Sequence, residues 1–128
     1  MEKKFMRIAT NGVIEILDLD QERDLLDVIH EQLDGGFFEI VRCPTLSHRF
    51  LMLVDDCGAI KDLHINPVAS EMYGWRQHGS PIFGVALFMK EAIVDGEHDI
   101  VGLDSDDVVE LIRKMRGVVV IKDHCYFD

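Results

Sequence analysis

The sequence predicts an α+β fold: one domain over residues 1–128, with a mostly antiparallel sheet and two main helices and one short helix on one face. Three observations carry this expectation. Asn11-Gly12 stands between two runs, 4–9 and 12–19, that alternate in places between apolar and polar, which is a strong short hairpin signal. "RFLMLVDD" (49–56) and "IFGVALFMKEAIV" (82–94) are apolar runs of strand character. "QERDLLDVIHEQLD" (21–34) and "SDDVVELIRKM" (105–115) repeat their apolar residues at helical spacing.

Taken in order, the chain reads β-β-α-β-β-(β)-α-β-α-β. In the first helix Leu25, Leu26, Val28, Ile29 and Leu33 form the apolar stripe, Asp20 is the expected N-cap and Gly35-Gly36 the expected stop. "FFEIVRC" (37–43), bounded by Gly36 and Pro44, reads as a strand. The run 49–56 reads as a buried central strand, "DCG" as a turn and "AIKDL" (59–63) as a hairpin partner. Asn66-Pro67 is a helix start, with Asn as N-cap and Pro at the first helical position, and Gly74 ends that short helix. "DGEHD" (95–99) reads as a turn. Asp104 caps the last helix, whose acidic first turn and basic end complement its dipole; Gly117 stops it and "VVVIK" (118–122) reads as a last strand.

Composition narrows the function. The net charge of −11 argues against direct nucleic-acid binding and against anionic membranes, because both are held by Lys and Arg. No apolar run approaches the ~20 residues of a membrane span. The charged, alternating N-terminus is unlike a secretory leader. Three cysteines without metal-like spacing suggest reduced thiols, so a cytoplasmic protein is expected.

The densest chemistry lies in "HINPVASEMYGWRQHGSPIFG" (64–84), which holds the only Trp and three of the ten glycines. Tyr73, Trp75, Arg76 and His78 lie around Gly74 and Gly79; aromatic faces with an Arg suit stacking on a base and pairing a phosphate. Asn66 reads polar edges unless capping consumes it, and the aromatic rings equally well cover a core edge. Gly84, inside an apolar run, marks close backbone approach, either to a ligand or to packed chain. Arg49 and Arg76 flank the segment and are the expected cations. The candidate ligand-binding set is therefore Arg49, Asn66, Tyr73, Trp75, Arg76, His78 and Gly84.

No G-x-S-x-G, P-loop or zinc spacing is present, so no catalytic residue, metal or cofactor is assigned. The pair His124-Cys125 is too short a pattern for a metal site. Most of the acids suit caps and solvated turns. A phosphate-mimicking surface built from Asp18, Asp20, Asp24, Asp104, Asp106 and Asp107 is the alternative.

In their order, "GGFFEIVRCP", "LMLVDDCGAIKDLHINPVASEMYG", "PIFGVALFM" and "DIVGLDSDDVVELI" resemble a family of small domains of unknown function carried by phages, plasmids and their bacterial hosts. The resemblance spans roughly residues 5–115. Leu46–Phe50 is a longer entry to the strand than the family shows, and Trp75–Ser80 and Val118–Asp128 have no counterpart. One branch that looks similar in outline is the anti-Thoeris phage proteins, oligomeric sponges that sequester cyclic nucleotide-type signals without cleaving them. The resemblance implies a homo-oligomer, from a mobile element, that holds a small anionic nucleotide ligand and is not an enzyme. The alternative is an acidic interaction module acting on a basic partner. A small hydrolase is the third reading.

Overall fold

The computed structural model describes residues 3–33, 37–44 and 46–119, the side chains of His78 and of 117–119 excepted. Its strands are β1 (Lys4–Ile8), β2 (Ile14–Asp18), β3 (Phe38–Val41), β4 (Phe50–Asp55), β5 (Ala86–Val94) and β6 (Glu97–Val101). Its helices are α1 (Leu25–Gln32), α2 (Pro67–Tyr73), α3 (Trp75–His78) and α4 (Ser105–Val119). The strands form one six-stranded sheet in the order β2-β1-β5-β4-β3, all pairs antiparallel. The first half of β5 pairs with β1, from Ala86 opposite Ile8 to Phe88 opposite Met6; its second half pairs with β6. The α+β class and the antiparallel sheet are thus as the sequence predicts.

The helices do not share one face. Successive side chains of a strand point to opposite sides, and here both sides are apolar. Met6, Ile8, Phe50, Met52, Val54, Ala86 and Phe88 pack with Val68, Ala69 and Met72 of α2 and Leu111 and Met115 of α4. Phe5, Leu51, Leu53, Leu87 and Met89 pack with Val28 and Ile29 of α1 and with Leu33 that caps it. The continuous apolar run in β4, buried at every residue, already requires cover on both faces. Each large apolar side chain so enclosed contributes about 1.5–3 kcal/mol.

Several boundaries differ from expectation for identifiable reasons. α1 begins at Leu25 because Asp24, not Asp20, accepts the Leu26 N–H (3.0 Å); Asp20 instead closes a turn by accepting from Glu22 N–H. Gly35-Gly36 lie outside the described residues. Residues 59–63 form turns rather than a strand, since the Asp55 carboxylate draws in Cys57 N–H (2.8 Å) and Lys61 Nζ (2.7 Å). β5 starts at Ala86 because Gly84 adopts φ +83°, outside the strand region. In "DGEHD" only Asp95-Gly96, both at positive φ, turn the chain; Glu97 already belongs to β6. Gly117 does not stop α4, which continues through Val118 and Val119; the rest of the expected last strand, and His124-Cys125, lie outside the described residues.

Candidate functional site

The segment 64–84 leaves and rejoins the sheet at one point. Ile65 bridges Phe83, Gly84 N–H donates to His64 O (2.8 Å) and Asn66 N–H to Ile82 O (2.8 Å). The excursion between these ties carries α2 and α3, separated by Gly74 in the left-handed region (φ 76°). Inside it, buried Ser70 Oγ accepts from Ile82 N–H at 2.8 Å.

Asn66 is spent on this architecture. It is fully buried. Its Nδ2 donates to Ile8 O and Gly84 O, both at 2.9 Å, and its Oδ1 accepts from Ala69 N–H at 3.1 Å as the N-cap of α2. No polar edge is left facing a ligand. Gly84 is used in the same way: a Cβ there would lie 2.8 Å from Leu63 Cδ1, so the close approach is to the chain's own loop.

The remaining predicted residues separate. Arg49 stacks over Phe50 (4.6 Å to the ring centroid) and pairs with α4 through Asp107 (3.1 Å) and Glu110 (2.6 Å). Trp75 and Arg76 stay together on α3, the guanidinium 5.1 Å from the indole centroid and 3.4 Å from Glu71 Oε1. His78 ends α3, and its side chain lies outside the described positions. Tyr73, half-buried at the end of α2, packs on the core and lines a groove.

That groove, about 430 Å³, runs between β3 and the returning segment. One wall is Glu39, Ile40, Val41 and Arg42; the other is Tyr73, Ser80, Pro81 and Ile82. Arg42, rather than Arg49, is the arginine among the groove's lining residues. Its guanidinium is oriented by His48 O (2.7 Å) and Glu91 Oε2 (3.1 Å). The sequence signal for Arg42 is its place at the end of an aromatic, β-branched run just before Pro44; nothing in the sequence ties that strand to Tyr73.

A second cleft of about 350 Å³ lies at the far end of β4, lined by Thr10, Gln32, Leu33, Asp55, Asp62, Leu63, His64, Gly84 and Val85. Burial works against ionisation of Asp55, but the hydrogen bonds from Lys61 and Cys57 N–H and the Lys61 charge outweigh it and hold the carboxyl below its ordinary range. Bonding to Asp55 raises Lys61 in turn. Among the described residues, Asp55, Asp56 and Cys57 bring metal-ligating atoms within 4.8 Å of one another. Both Asp55 oxygens are already used, and Lys61 supplies the cation there.

The acids weighed as a phosphate-like surface are distributed through the fold. Asp18 pairs with Lys4 (2.6 Å) and Asp24 caps α1. Asp104 and Asp107 form a reciprocal capping box, each accepting the other's N–H at 2.9–3.0 Å. Buried Asp107 also meets Lys90 at 2.7 Å.

Compared with known proteins, the chain matches no family model, and no curated protein or solved structure matches it. No helix among the described residues is long and apolar enough to cross a membrane.

Proposed function

We propose that this protein is a non-enzymatic binder of a small anionic nucleotide-type ligand, a sponge for an immune signal, acting as a homo-oligomer from a mobile element. The observation that carries the reading is the groove between β3 and the returning segment, whose lining includes Tyr73, Ser80 and Arg42. Its volume suits a small organic ligand, for which pockets of about 300–1,000 Å³ are usual. The Tyr73 ring is a stacking surface, and the Arg42 fork has N–H donors beyond the two its partners use for an anion to engage. Trp75 and Arg76 add a stacked ring and cation on α3, which follows Tyr73 in the chain. The chain's charge of −11 does not forbid an anion, since distant charges are screened beyond ~8–10 Å at moderate ionic strength.

The test is calorimetric titration with ADP-ribose and with a cyclic dinucleotide, followed by recovery of the compound. The expected result is binding of one of them, its release unchanged, and a loss of about tenfold or more in affinity in Arg42→Gln, Trp75→Ala and Arg76→Ala. Release as a cleaved product would make the protein an enzyme. No binding of either compound would overturn the reading.

A further inference from the structure

We propose that the free edge of β3 pairs antiparallel with the β3 edge of a second copy of this chain, with Ile40 on the two-fold axis, so that the partner extends the wall of the groove. The inference rests on the ligand-binding reading for the purpose of the interface; its geometry stands on β3 itself.

Among the described residues β3 is the last strand of the sheet, bonded only to β4. Asp56 N–H donates to Phe37 O (3.1 Å), and the register continues as Phe38 opposite Asp55 through Val41 opposite Met52. Hydrogen-bonded and non-bonded pairs alternate in such a ladder. Phe37, Glu39 and Val41 therefore turn their peptide groups to β4, and those of Phe38 and Ile40 point outward. Natural edges are blunted by short length, charge, Pro or bulges; the four residues Phe38–Val41, F-E-I-V, carry one charge, Glu39, and no Lys or Pro. Apolar surface accompanies the open edge, with Phe37 79% and Ile40 46% exposed.

Charge selects this edge over the other. Glu39 and Arg42 make the β3 stripe neutral on a chain of net charge −11. β2, the opposite edge, carries Glu15 and Asp18 and no base of its own.

Charge and backbone chemistry also select the register. A two-fold axis perpendicular to the sheet keeps each face with its like, so outward residues must meet outward residues. Setting Phe38 opposite Ile40 would put Glu39 against its own copy, a like-charge pair. Setting Ile40 opposite Arg42 would put Pro44, which has no N–H, where Phe38 needs a donor. With Ile40 opposite itself, Phe38 faces Arg42 of the partner subunit and Glu39 faces Val41 of the partner subunit, and the ladder ends short of Pro44. Both grooves then lie on the same face, side by side across the joined strands.

Sedimentation equilibrium without ligand tests the interface alone. The expected particle contains two 14.6 kDa chains, is favoured by added salt that screens the shared negative charge, and is monomeric in Ile40→Lys at unchanged circular dichroism. Bonded antiparallel partners have Cα atoms ~5.5 Å apart, within disulfide reach. Oxidised Ile40→Cys should therefore cross-link through position 40, identified by peptide mass, where Glu39→Cys and Val41→Cys do not. A monomeric wild type, a dimer that survives Ile40→Lys, or cross-linking at 39 or 41 instead overturns the proposal. Titration with ADP-ribose and the cyclic dinucleotide then separates the two readings. A monomer that binds sinks the interface and the homo-oligomer but keeps the ligand, and a dimer that binds neither compound sinks only the ligand.

Discussion

The carbonyl of Gly84 is held by Asn66, whose Nδ2 reaches it at 2.9 Å while the same nitrogen holds Ile8 O. One fully buried side chain thereby ties the end of β1, the start of α2 and the approach to β5. Asn66→Ala removes hydrogen bonds to two carbonyls and to one helix N–H. At about 1 kcal/mol for each of the three bonds, a loss of about 3 kcal/mol is expected. The measurement is the urea midpoint at unchanged m-value; a loss under about 1 kcal/mol would mean that water replaces the amide.

Two glycines at positive φ should respond differently to alanine. A Cβ on Gly96 (φ +80°) would meet nothing within 4 Å, so Gly96→Ala carries backbone strain alone, about 1–2 kcal/mol. Gly84 (φ +83°) adds the 2.8 Å approach to Leu63, so Gly84→Ala should cost more. Thermal melts of the two variants give the order, and equal losses would show that Leu63 moves aside freely.

Asp107 neutralises Arg49 and Lys90 and caps α4 from inside the capping box. Asp107→Ala is expected to cost about 2–4 kcal/mol, combining a lost cap with cations left beside an apolar core. Asp106→Ala, at an exposed neighbour, should stay within about 0.5 kcal/mol. Urea titration of both variants measures the difference, and equal losses would show that the buried carboxylate contributes nothing beyond helix propensity.

Stability should depend on acid through Asp55. Its carboxyl titrates below the ordinary range because its bonds to Lys61 and Cys57 N–H outweigh burial. The folded value lies below the unfolded one, near 3.8. Its stabilising contribution is complete above that unfolded value and is lost as pH falls through the lower folded value. Lys61→Met removes the ammonium and leaves burial to raise the carboxyl. The gap in melting temperature between wild type and Lys61→Met should therefore be widest near neutrality and close as the pH falls below about 4. A gap independent of pH would mean that Lys61 acts through packing alone.

Cys43, buried at the end of β3, has its thiol pushed up to about 12 by burial. Near neutral pH the thiol therefore stays protonated and unreactive. Iodoacetamide should label Cys57 before Cys43 and reach Cys43 only under denaturant, read by peptide mass spectrometry. Prompt labelling of Cys43 in the native protein would show that the end of β3 opens.

Much of this fold is legible in the sequence because its signals are local. Asn11-Gly12, Asn66-Pro67 and the Asp104 cap each state their own geometry. The Asp95-Gly96 hairpin is equally local, but the polar residues that follow it suggest a longer turn than the two residues that bend the chain. The faces of the sheet are harder. The apolar run in β4 shows that a strand is buried on both sides, yet only tertiary packing shows that α1 lies on one side and α2 and α4 on the other. Of the candidate site, the segment 64–84 is visible as dense chemistry. The partition within it is not: Asn66 and Gly84 answer to Ile8 and Leu63, which lie outside the segment. Arg49 is near the segment in sequence, while the acids that engage it, Asp107 and Glu110, come from the last helix. Arg42 and Tyr73 come to line one groove only through tertiary packing, which no spacing encodes.

β5 touches partners from the whole length of the chain: β1 from the start, β4 from the middle and β6 just after it. During synthesis the β1–β2 hairpin therefore has no sheet to join until β5 has left the ribosome, and the β3–β4 hairpin waits with it. Until then the apolar faces of both hairpins are open to solvent and to other nascent chains. Joining strands so far apart in sequence makes assembly slow relative to a helical domain of this size. The central strand that gives the domain its core thus also makes its emergence the committing step of folding.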